Sequence, residues 1–324
     1  GPGPGTAPGS RPRPGSRPRP GSRPAPETPA PETPAPEKPA PAAPVVLADR
    51  LDVTVVRVGG AVAKAHAADT DRAALAIRLA IAAHPRTRGI LLPPYESAAG
   101  QRFAQGRAVS VWPYGRPVDT GEPRAAPWEQ AAVLLARLHA VPPGELSGPV
   151  PPMRGPAKAA RAMARLRGAP DTAAARTVRL AWRRLPAWAR DEAPYEGRVA
   201  LCHGDWHLGQ LVRHPAPDGD WLLIDVDDLG TGEPAWDLAR PAMWFAAGLL
   251  APEAWARFLG AYQDAGGTAV PESGDPWAHL DVPARTLAVQ SAATAVAKAA
   301  REERDLDDGE CELLATCARI AQLK

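Results

Sequence analysis

Candidate catalytic and metal-binding side chains are concentrated in one stretch of the chain, residues 201–240. In the run HGDWHLGQ, His203 and Asp205 are followed by Gln210, and a further carboxylate, Asp225, comes directly after the apolar run WLLI. Imidazole, carboxylate and amide groups are the usual components of acid–base and metal-binding sites. No other stretch of the sequence has a comparable density of them, so we expect the functional site here.

The same stretch has the pattern of a β-hairpin. Two apolar runs typical of strands, LGQLV and WLLI, flank a segment rich in proline and glycine. If Leu211 pairs with Ile224, the antiparallel register places Gln210 opposite Asp225. The two oxygen-bearing side chains would then meet at the open end of the hairpin, next to the loop that carries Asp205.

The elements that must position these groups fall into two parts. The first, residues 45–115, is rich in strand patterns: DVTVVRV and AVAKA are joined by two glycines, a strong hairpin signal. Lys64 lies on the second of these strands, where its ammonium group could face a cleft and hold phosphate oxygens, or could face solvent. The second part, residues 116–324, consists mainly of helix patterns, beginning with PWEQAAVLLARLHA at residues 127–140.

Later helices are also predicted from apolar periodicity. Arginine-rich faces on the first two are typical of solvated surfaces, and aromatic stripes on the next two are typical of core. These helices are predicted over residues 157–167, 172–188, 241–250, 253–264, 284–301 and 310–323.

Composition limits the classes of function. The chain has 324 residues, a hydrophobic fraction of 45% and a formal net charge of +2, of which residues 1–44 contribute +3. The remainder has no basic excess, so binding to nucleic acid is not expected. No run of about 18 apolar residues could span a bilayer and no secretory pattern is present, so we expect no membrane association. Three cysteines without metal-binding or redox spacing are typical of reduced thiols in a cytoplasmic protein.

Residues 1–44 form a proline-rich, arginine-bearing tail with 16 of the 40 prolines. Since it has almost no branched or aromatic residues, it cannot bury enough apolar surface to offset the entropy of ordering. We therefore predict a disordered, solvated extension with polyproline-II character. A second interpretation is a weak interaction of the proline-rich tail with an SH3-like partner.

The central stretch resembles a known family. HGDWHLGQ is similar to the HGDxxxxN element of the aminoglycoside-phosphotransferase and choline-kinase-like family, and Gln210 in the Asn position resembles the maltokinase branch in particular. The segment GEPAWDLA is similar to the G-x-x-x-x-D-L-A segment of that family. Weaker matches include LLARLHAVP, VWPYG as a hinge and Lys64, so the resemblance covers residue 45 to the end of the chain.

The resemblance implies an α+β, two-lobed protein-kinase-like fold. A small β-rich N-lobe at residues 45–115 would end in the hinge, and residues 116–324 would form the larger helical C-lobe. The implied activity is that of a small-molecule kinase: with Mg²⁺, it moves the γ-phosphate of ATP or GTP to a hydroxyl group. The acceptor would be a small molecule such as an aminoglycoside, a sugar or an amino alcohol, and the protein would be a monomer or a dimer.

The resemblance also implies roles for residues of the central stretch. Asp205 would be the catalytic base that accepts the proton of the acceptor hydroxyl group. Gln210 and Asp225 would hold Mg²⁺ through oxygen atoms, the ligands that this ion prefers. His203 and Asp237 would support the loop without taking part in the chemistry.

The nucleotide would contact the N-lobe. Lys64 would hold its phosphates, and Trp112 and Tyr114 would flank its base or pack between the lobes. The chain departs from the family pattern twice: no G-x-G-x-x-G loop precedes Lys64, and the next helix has no glutamate to pair with it. Asp69 and Asp71 lie at the start of that helix, and the sequence does not show whether either replaces the glutamate.

Two other classes of function are compatible with the pattern. A non-catalytic nucleotide-binding module, or pseudokinase, would be consistent with Gln210 and the missing glutamate and glycines. A zinc hydrolase would be consistent with the alternation of His203, Asp205 and His207, which on an extended strand would face one side together. Asp225 or Asp227 would complete this site. The glycine between His203 and Asp205 favours a turn over a strand at this point.

Overall fold

The structure is a computed structural model that describes residues 1, 42–50, 53–95, 102–119, 121–122, 125–146 and 148–323. The predicted tail, residues 1–44, lies outside this part of the chain except for residue 1 and residues 42–44. Among the helices of the described residues, none combines the length and apolar character needed to cross a membrane.

The first part of the fold is a five-stranded antiparallel sheet with one helix, α1 (Arg72–Ala82). The predicted hairpin is confirmed: two strands pair around Gly59 and Gly60, and Gly59 has a φ of +57°. The strands are β1 (Val45–Asp49), β2 (Thr54–Val58), β3 (Ala61–Ala65), β4 (Arg102–Ala104) and β5 (Arg107–Pro113), in the spatial order β1-β2-β3-β5-β4.

The position of Lys64 in the sheet places its side chain on the buried face. Burial alternates along β5, with Ala108, Ser110 and Trp112 on the buried face. Lys64 of β3 lies directly opposite Ser110 in the antiparallel register, and paired residues project from the same face of a sheet. Its side chain is accordingly buried, so the solvent-facing interpretation is wrong.

The second part is mainly helical, as predicted. Its helices are α2 (Trp128–His139), α3 (Gly155–Arg167), α4 (Ala173–Arg183), α5 (Ala235–Ala246), α6 (Pro252–Asp264), α7 (Trp277–Glu302) and α8 (Asp308–Ala321). Together with the sheet of the first part, they make an α+β fold of two lobes.

Two helices begin earlier than predicted, and in both cases a proline lies inside the helix. The structure starts α5 before Pro241 and α7 before Pro283. Proline favours the first turn because it lacks an N–H group, which is why the sequence pattern suggested a start at or just after each proline. Burial of neighbouring side chains, such as Trp236 in α5 and Leu280 in α7, outweighs the lost hydrogen bond.

Aromatic side chains anchor the central stretch in the core. The Trp206 ring stacks on Phe258 of α6 with 5.1 Å between centroids, and Trp128 of α2 meets Trp206 edge-on at 6.2 Å. The predicted core role of the aromatic stripe on α6 is confirmed, since Trp255, Phe258 and Tyr262 are all buried.

Short strands complete the second part: β6 (Arg116–Pro117), β7 (Ala200–Cys202), β8 (Leu211–His214), β9 (Asp220–Leu223) and β10 (Gly230–Gly232). The hairpin predicted in the central stretch is present as β8 and β9, but its predicted register is wrong by one residue. Leu211 pairs with Leu223, so the main chain of Gln210 lies opposite Ile224 and accepts a hydrogen bond from its N–H group at 2.9 Å.

Candidate active site

The loop that follows β7 is held by one buried carboxylate. Asp237, in the first turn of α5, accepts hydrogen bonds from the main-chain N–H groups of His203 at 2.6 Å and Gly204 at 2.8 Å. Gly204 has a φ of +83°, and a Cβ there would overlap the carbonyl oxygen of Asp228, so a glycine is required. The loop therefore has a defined shape without any ligand.

Histidines complete this support. The Nε2 atom of His203 lies 2.8 Å from the carbonyl oxygen of Ile224 and links the loop to the end of β9. His139 of α2 lies between Asp237, at 3.1 Å from Nε2, and the hydroxyl of Tyr262, at 2.7 Å from Nδ1. The side chains of His139, His203, Asp237 and Tyr262 are buried, so the network behind the loop is shielded from water.

Lys64 contacts two carboxylates of the second part of the fold. Its Nζ atom lies 2.6 Å from Oδ1 of Asp225 and 3.0 Å from Oδ2 of Asp227. Burial alone would lower the pKa of the lysine, but the two carboxylates outweigh burial and raise it. Asp71 is not its partner, because that carboxylate caps α1 through the N–H groups of its first turn.

Asp227 is also connected to β5 through buried polar groups. Its Oδ2 atom lies 3.2 Å from Nδ1 of His66, whose Nε2 lies 2.8 Å from the hydroxyl of Ser110. The indole N–H group of Trp112 donates to the same hydroxyl at 2.8 Å. Burial would raise the pKa of Asp227, but Lys64 and then His66 lower it, so the carboxylate is ionised.

The two hinge aromatics differ in their surroundings. Trp112 is buried, whereas Tyr114 lies beneath the guanidinium group of Arg57, 3.4 Å from the ring centroid. The carbonyl oxygen of Tyr114 also lies 3.1 Å from Nδ1 of His214 in the hairpin.

Gln210 and Asp225 meet in spite of the corrected register. The Nε2 atom of Gln210 donates to Oδ2 of Asp225 at 3.4 Å. Asp225 lies two residues after the end of β9 and has a φ of +64°, a left-handed conformation that is uncommon outside glycine. This turn redirects the carboxylate, so both side chains lie at the open end of the hairpin.

Asp205 lies between two cations. Oδ2 is 2.6 Å from Nζ of Lys158 on α3, and Oδ1 is 2.7 Å from a terminal nitrogen of Arg240 on α5. Lys158 also lies 2.8 Å from the buried carboxylate of Asp228. Burial would raise the pKa of Asp205, but Lys158 and then Arg240 lower it. Asp205 is therefore ionised at neutral pH.

Sequence comparison decides the family. The profile of the Phosphotransferase enzyme family matches residues 62–277, which is more than half of the chain. The chain belongs to this family. It is therefore an enzyme that transfers a phosphate group to a hydroxyl group of a small molecule. A search of curated proteins finds no match.

Solved structures show the protein-kinase-like fold of this phosphotransferase. A choline/ethanolamine kinase family protein from Mesorhizobium loti is 17% identical, with 85% of this chain and 87% of that chain covered and a TM-score of 0.52. A thermostable mutant of aminoglycoside phosphotransferase APH(4)-Ia, in a ternary complex with AMP-PNP and hygromycin B, is 14% identical (87% and 94% covered, TM-score 0.58). Aminoglycoside phosphotransferase APH(3'')-Id from Streptomyces rimosus is 20% identical (76% and 92% covered, TM-score 0.51).

The candidate site includes residues that the sequence pattern does not single out. Lys158 lies on the helix whose arginine-rich face is expected to be solvated, and the pattern gives no role to Arg240, Asp228 or His66. One signal was present: Asp227 and Asp228 follow Asp225 so closely that burial of these carboxylates requires compensating cations.

The geometry does not support a zinc site at the alternating histidines. Residues 203–207 form no strand; the ring of His203 is bonded to Ile224, and Nδ1 of His207 accepts the N–H group of Gly209 at 3.1 Å. In the described part of the chain, the group with metal-ligand spacing is His139, Cys202 and Asp237. Those residues lie in the buried network behind the loop.

Proposed function

We propose that this phosphotransferase moves the γ-phosphate of ATP or GTP to a hydroxyl group of a small molecule, with Asp205 as catalytic base. The observation that carries the proposal is the position of Asp225. Its carboxylate contacts Lys64 of the first part of the fold at 2.6 Å and Gln210 of the hairpin at 3.4 Å. A phosphate-holding cation and two oxygen-bearing side chains are thus brought together beside the loop of Asp205.

A nucleotide as donor is supported by the family and by the AMP-PNP complex of APH(4)-Ia. Lys64 would hold phosphate oxygens of the nucleotide, because its ammonium group is charged and has three donors in a buried setting. Trp112 and Tyr114 are proposed to flank the base at the hinge. The hydrogen bond from Trp112 to Ser110 would fix the orientation of that wall.

The donor set fits Mg²⁺. Asp225 offers carboxylate oxygens and Gln210 an amide oxygen, and hard oxygen ligands suit this ion. The amide of Gln210 points its nitrogen at Asp225, and rotation about the last side-chain bond presents the oxygen instead. Held by these residues, the ion would neutralise charge on the phosphate oxygens.

Asp205 would position the acceptor hydroxyl group and take its proton. As the hydroxyl oxygen bonds to the γ-phosphorus, the bond from that phosphorus to the β-phosphate oxygen breaks, and the nucleoside diphosphate leaves with the electron pair. The lowered pKa keeps Asp205 ionised before the reaction. Lys158 and Arg240 would fix the carboxylate in one orientation, since each holds one of its oxygens.

A screen of hydroxyl compounds with ATP and GTP, read out as acceptor-dependent release of nucleoside diphosphate, tests the proposal. We expect Asp205→Asn to lower the rate by about 10²–10⁴-fold, the usual contribution of a general base. Asp218→Asn is the matched control, because Asp218 is exposed in the turn between β8 and β9, away from the loop of Asp205. Turnover of Asp205→Asn close to that of the control would exclude Asp205 as the base.

A further inference from the structure

Helix α3 carries a single basic stripe, formed by Arg154, Lys158, Arg161 and Arg165. The successive spacings of four, three and four residues place these side chains on one face of the helix. The opposite side packs into the core through Ala159, Ala162, Met163 and Leu166. The stripe therefore lies on a face of α3 that is separate from its core-packed side, and Arg161 and Arg165 are exposed on it.

This stripe begins at the proposed catalytic base. Lys158 contacts Asp205 and Asp228, and Nε of Arg154 lies 3.7 Å from the carboxylate of Asp228. The pKa of Arg161 is lowered by partial burial and then by Arg154, and Asp228 opposes that effect. Arg161 is exposed and lies three residues after Lys158 on the same face of α3, so it is a neighbour of the side chain that contacts Asp205.

Positive charge exceeds negative charge in this region. Arg78 donates to main-chain oxygens, and Arg161 has neither a hydrogen bond nor an ion pair within the described residues. His207 adds no charge at neutral pH, because burial and then Arg240 lower its pKa to about 4. The two carboxylates at this point, Asp205 and Asp228, contact three cations, Arg154, Lys158 and Arg240, and Arg161 follows on the same face of α3.

We propose that the acceptor is an anionic hydroxyl compound, one that carries a phosphate or carboxylate group, and that Arg161 binds this group. The proposal rests on the phosphotransferase function proposed above for Asp205. Guanidinium groups suit both oxyanions because they bind them through paired hydrogen bonds. A polycationic amino sugar would instead meet like charge, which opposes binding.

In the reaction, the anionic group stays bound and unchanged while a hydroxyl of the same molecule reacts. The hydroxyl oxygen forms its bond to the γ-phosphorus, the bond to the leaving diphosphate breaks, and the proton passes to Asp205. The stripe therefore acts on acceptor binding and orientation, and no additional reactant is needed.

The first experiment compares one carbon frame in four charge states: glucose, glucosamine, gluconate and glucose 6-phosphate, each with Mg²⁺ and ATP. We expect gluconate or glucose 6-phosphate to give the fastest acceptor-dependent release of ADP, and the pair distinguishes a carboxylate from a phosphate. A higher rate with glucose or glucosamine than with both anions would overturn the proposal. It would leave the phosphotransferase function intact, because the Asp205→Asn comparison could then be made with that acceptor.

The second experiment reverses one charge. Arg161→Glu should raise KM for the anionic acceptor by about tenfold and leave KM for ATP unchanged, as expected when a close cation becomes an anion. The matched control is Arg167→Glu on the same helix; Arg167 lies about 200° around the helix axis from Arg165 and is also exposed. Equal KM values in the two variants, or a rise in KM for ATP alone, would contradict the proposal.

If none of the four compounds gives ADP release, calorimetric titration of the same compounds in the presence of ADP and Mg²⁺ shows whether an anionic compound binds through Arg161. Binding of an anionic compound to the wild type and to Arg167→Glu, with loss in Arg161→Glu, would support an anionic acceptor. Failure of both anions to bind would overturn it.

Discussion

Two lysines of this phosphotransferase each lie between two carboxylates, and the surroundings of the two pairs differ in charge. Lys64 lies between Asp225 and Asp227, and Lys158 lies between Asp205 and Asp228. Both lysines have raised pKa values because their carboxylates outweigh the effect of burial. At this level the two clusters look alike.

The difference lies in the additional cations. At Lys64, one ammonium group contacts two carboxylates, Asp225 and Asp227. At Lys158, Arg240 and Arg154 add positive charge to the carboxylates. An excess of carboxylate suits a divalent cation, and an excess of cation suits an anion. We therefore propose that the Lys64 group is a metal-and-nucleotide cluster and that the Lys158 group is an acceptor cluster.

The largest expected effect is on the metal-and-nucleotide cluster. Asp225→Ala should lower phosphate transfer by about 10³-fold, the scale on which charge-neutralising groups act in phosphoryl transfer. The fold should persist, as monitored by circular dichroism and thermal unfolding, since the Asp225 side chain makes no helix-capping hydrogen bond and the Lys64 ammonium group keeps its contact with Asp227. A loss of less than tenfold would remove Asp225 from the proposed metal site.

The next effect concerns the support of the acceptor cluster. Asp237→Ala should lower the free energy of unfolding by about 3 kcal/mol, because the N–H groups of His203 and Gly204 stay buried without an acceptor. Urea unfolding measures it. Asp237→Asn retains one acceptor oxygen and should lose less. If both variants unfold like the wild type, the loop does not depend on this carboxylate.

A smaller effect is expected at Gln210, where the contribution of the amide group can be separated from that of side-chain length. Gln210→Leu should cost about 10–100-fold in rate, as typical of lost polar groups at metal sites. Gln210→Asn keeps an amide oxygen and should stay within a few-fold of the wild type, provided that Mg²⁺ concentration is saturating. Equal loss in both variants would show that the amide group is not what matters.

The smallest effect is a shift in pH dependence. Lys158→Met removes a cation from Asp205, so the pKa of this carboxylate should rise and the acid limb of kcat/KM should move up by about one pH unit. The sign follows from the lowered pKa of Asp205, which keeps the base ionised to lower pH in the wild type. Lys64→Met is the control. A shift of the acid limb to lower pH in Lys158→Met would contradict the assignment.

Local sequence patterns predict much of the fold and part of the candidate site. The glycine pair between β2 and β3, the amphipathic α2 and the aromatic stripe of α6 are short-range patterns, and the structure has all three. The residues between His203 and Asp225 could be grouped because they lie close together along the chain. Their catalytic and metal-binding roles stay predictions.

What could not be predicted depends on contacts distant in sequence or on unusual backbone. Lys64 and Asp225 are 161 residues apart, and nothing near Lys64 indicates that its partners follow β9. The hairpin register is off by one because it depends on the geometry of the turn between β8 and β9, which the apolar pattern does not specify. A basic helix face is usually solvated, so the pattern around Lys158 gives no sign that tertiary packing directs this side chain to Asp205.

Steady-state kinetics of Lys64→Met and Lys158→Met, with both substrates varied, test the separation of the two clusters most directly. Lys64→Met should raise KM for the nucleotide while KM for the acceptor stays near the wild-type value, and Lys158→Met should do the reverse. A rise in the same constant in both variants would contradict the account, because the two clusters would then serve one substrate.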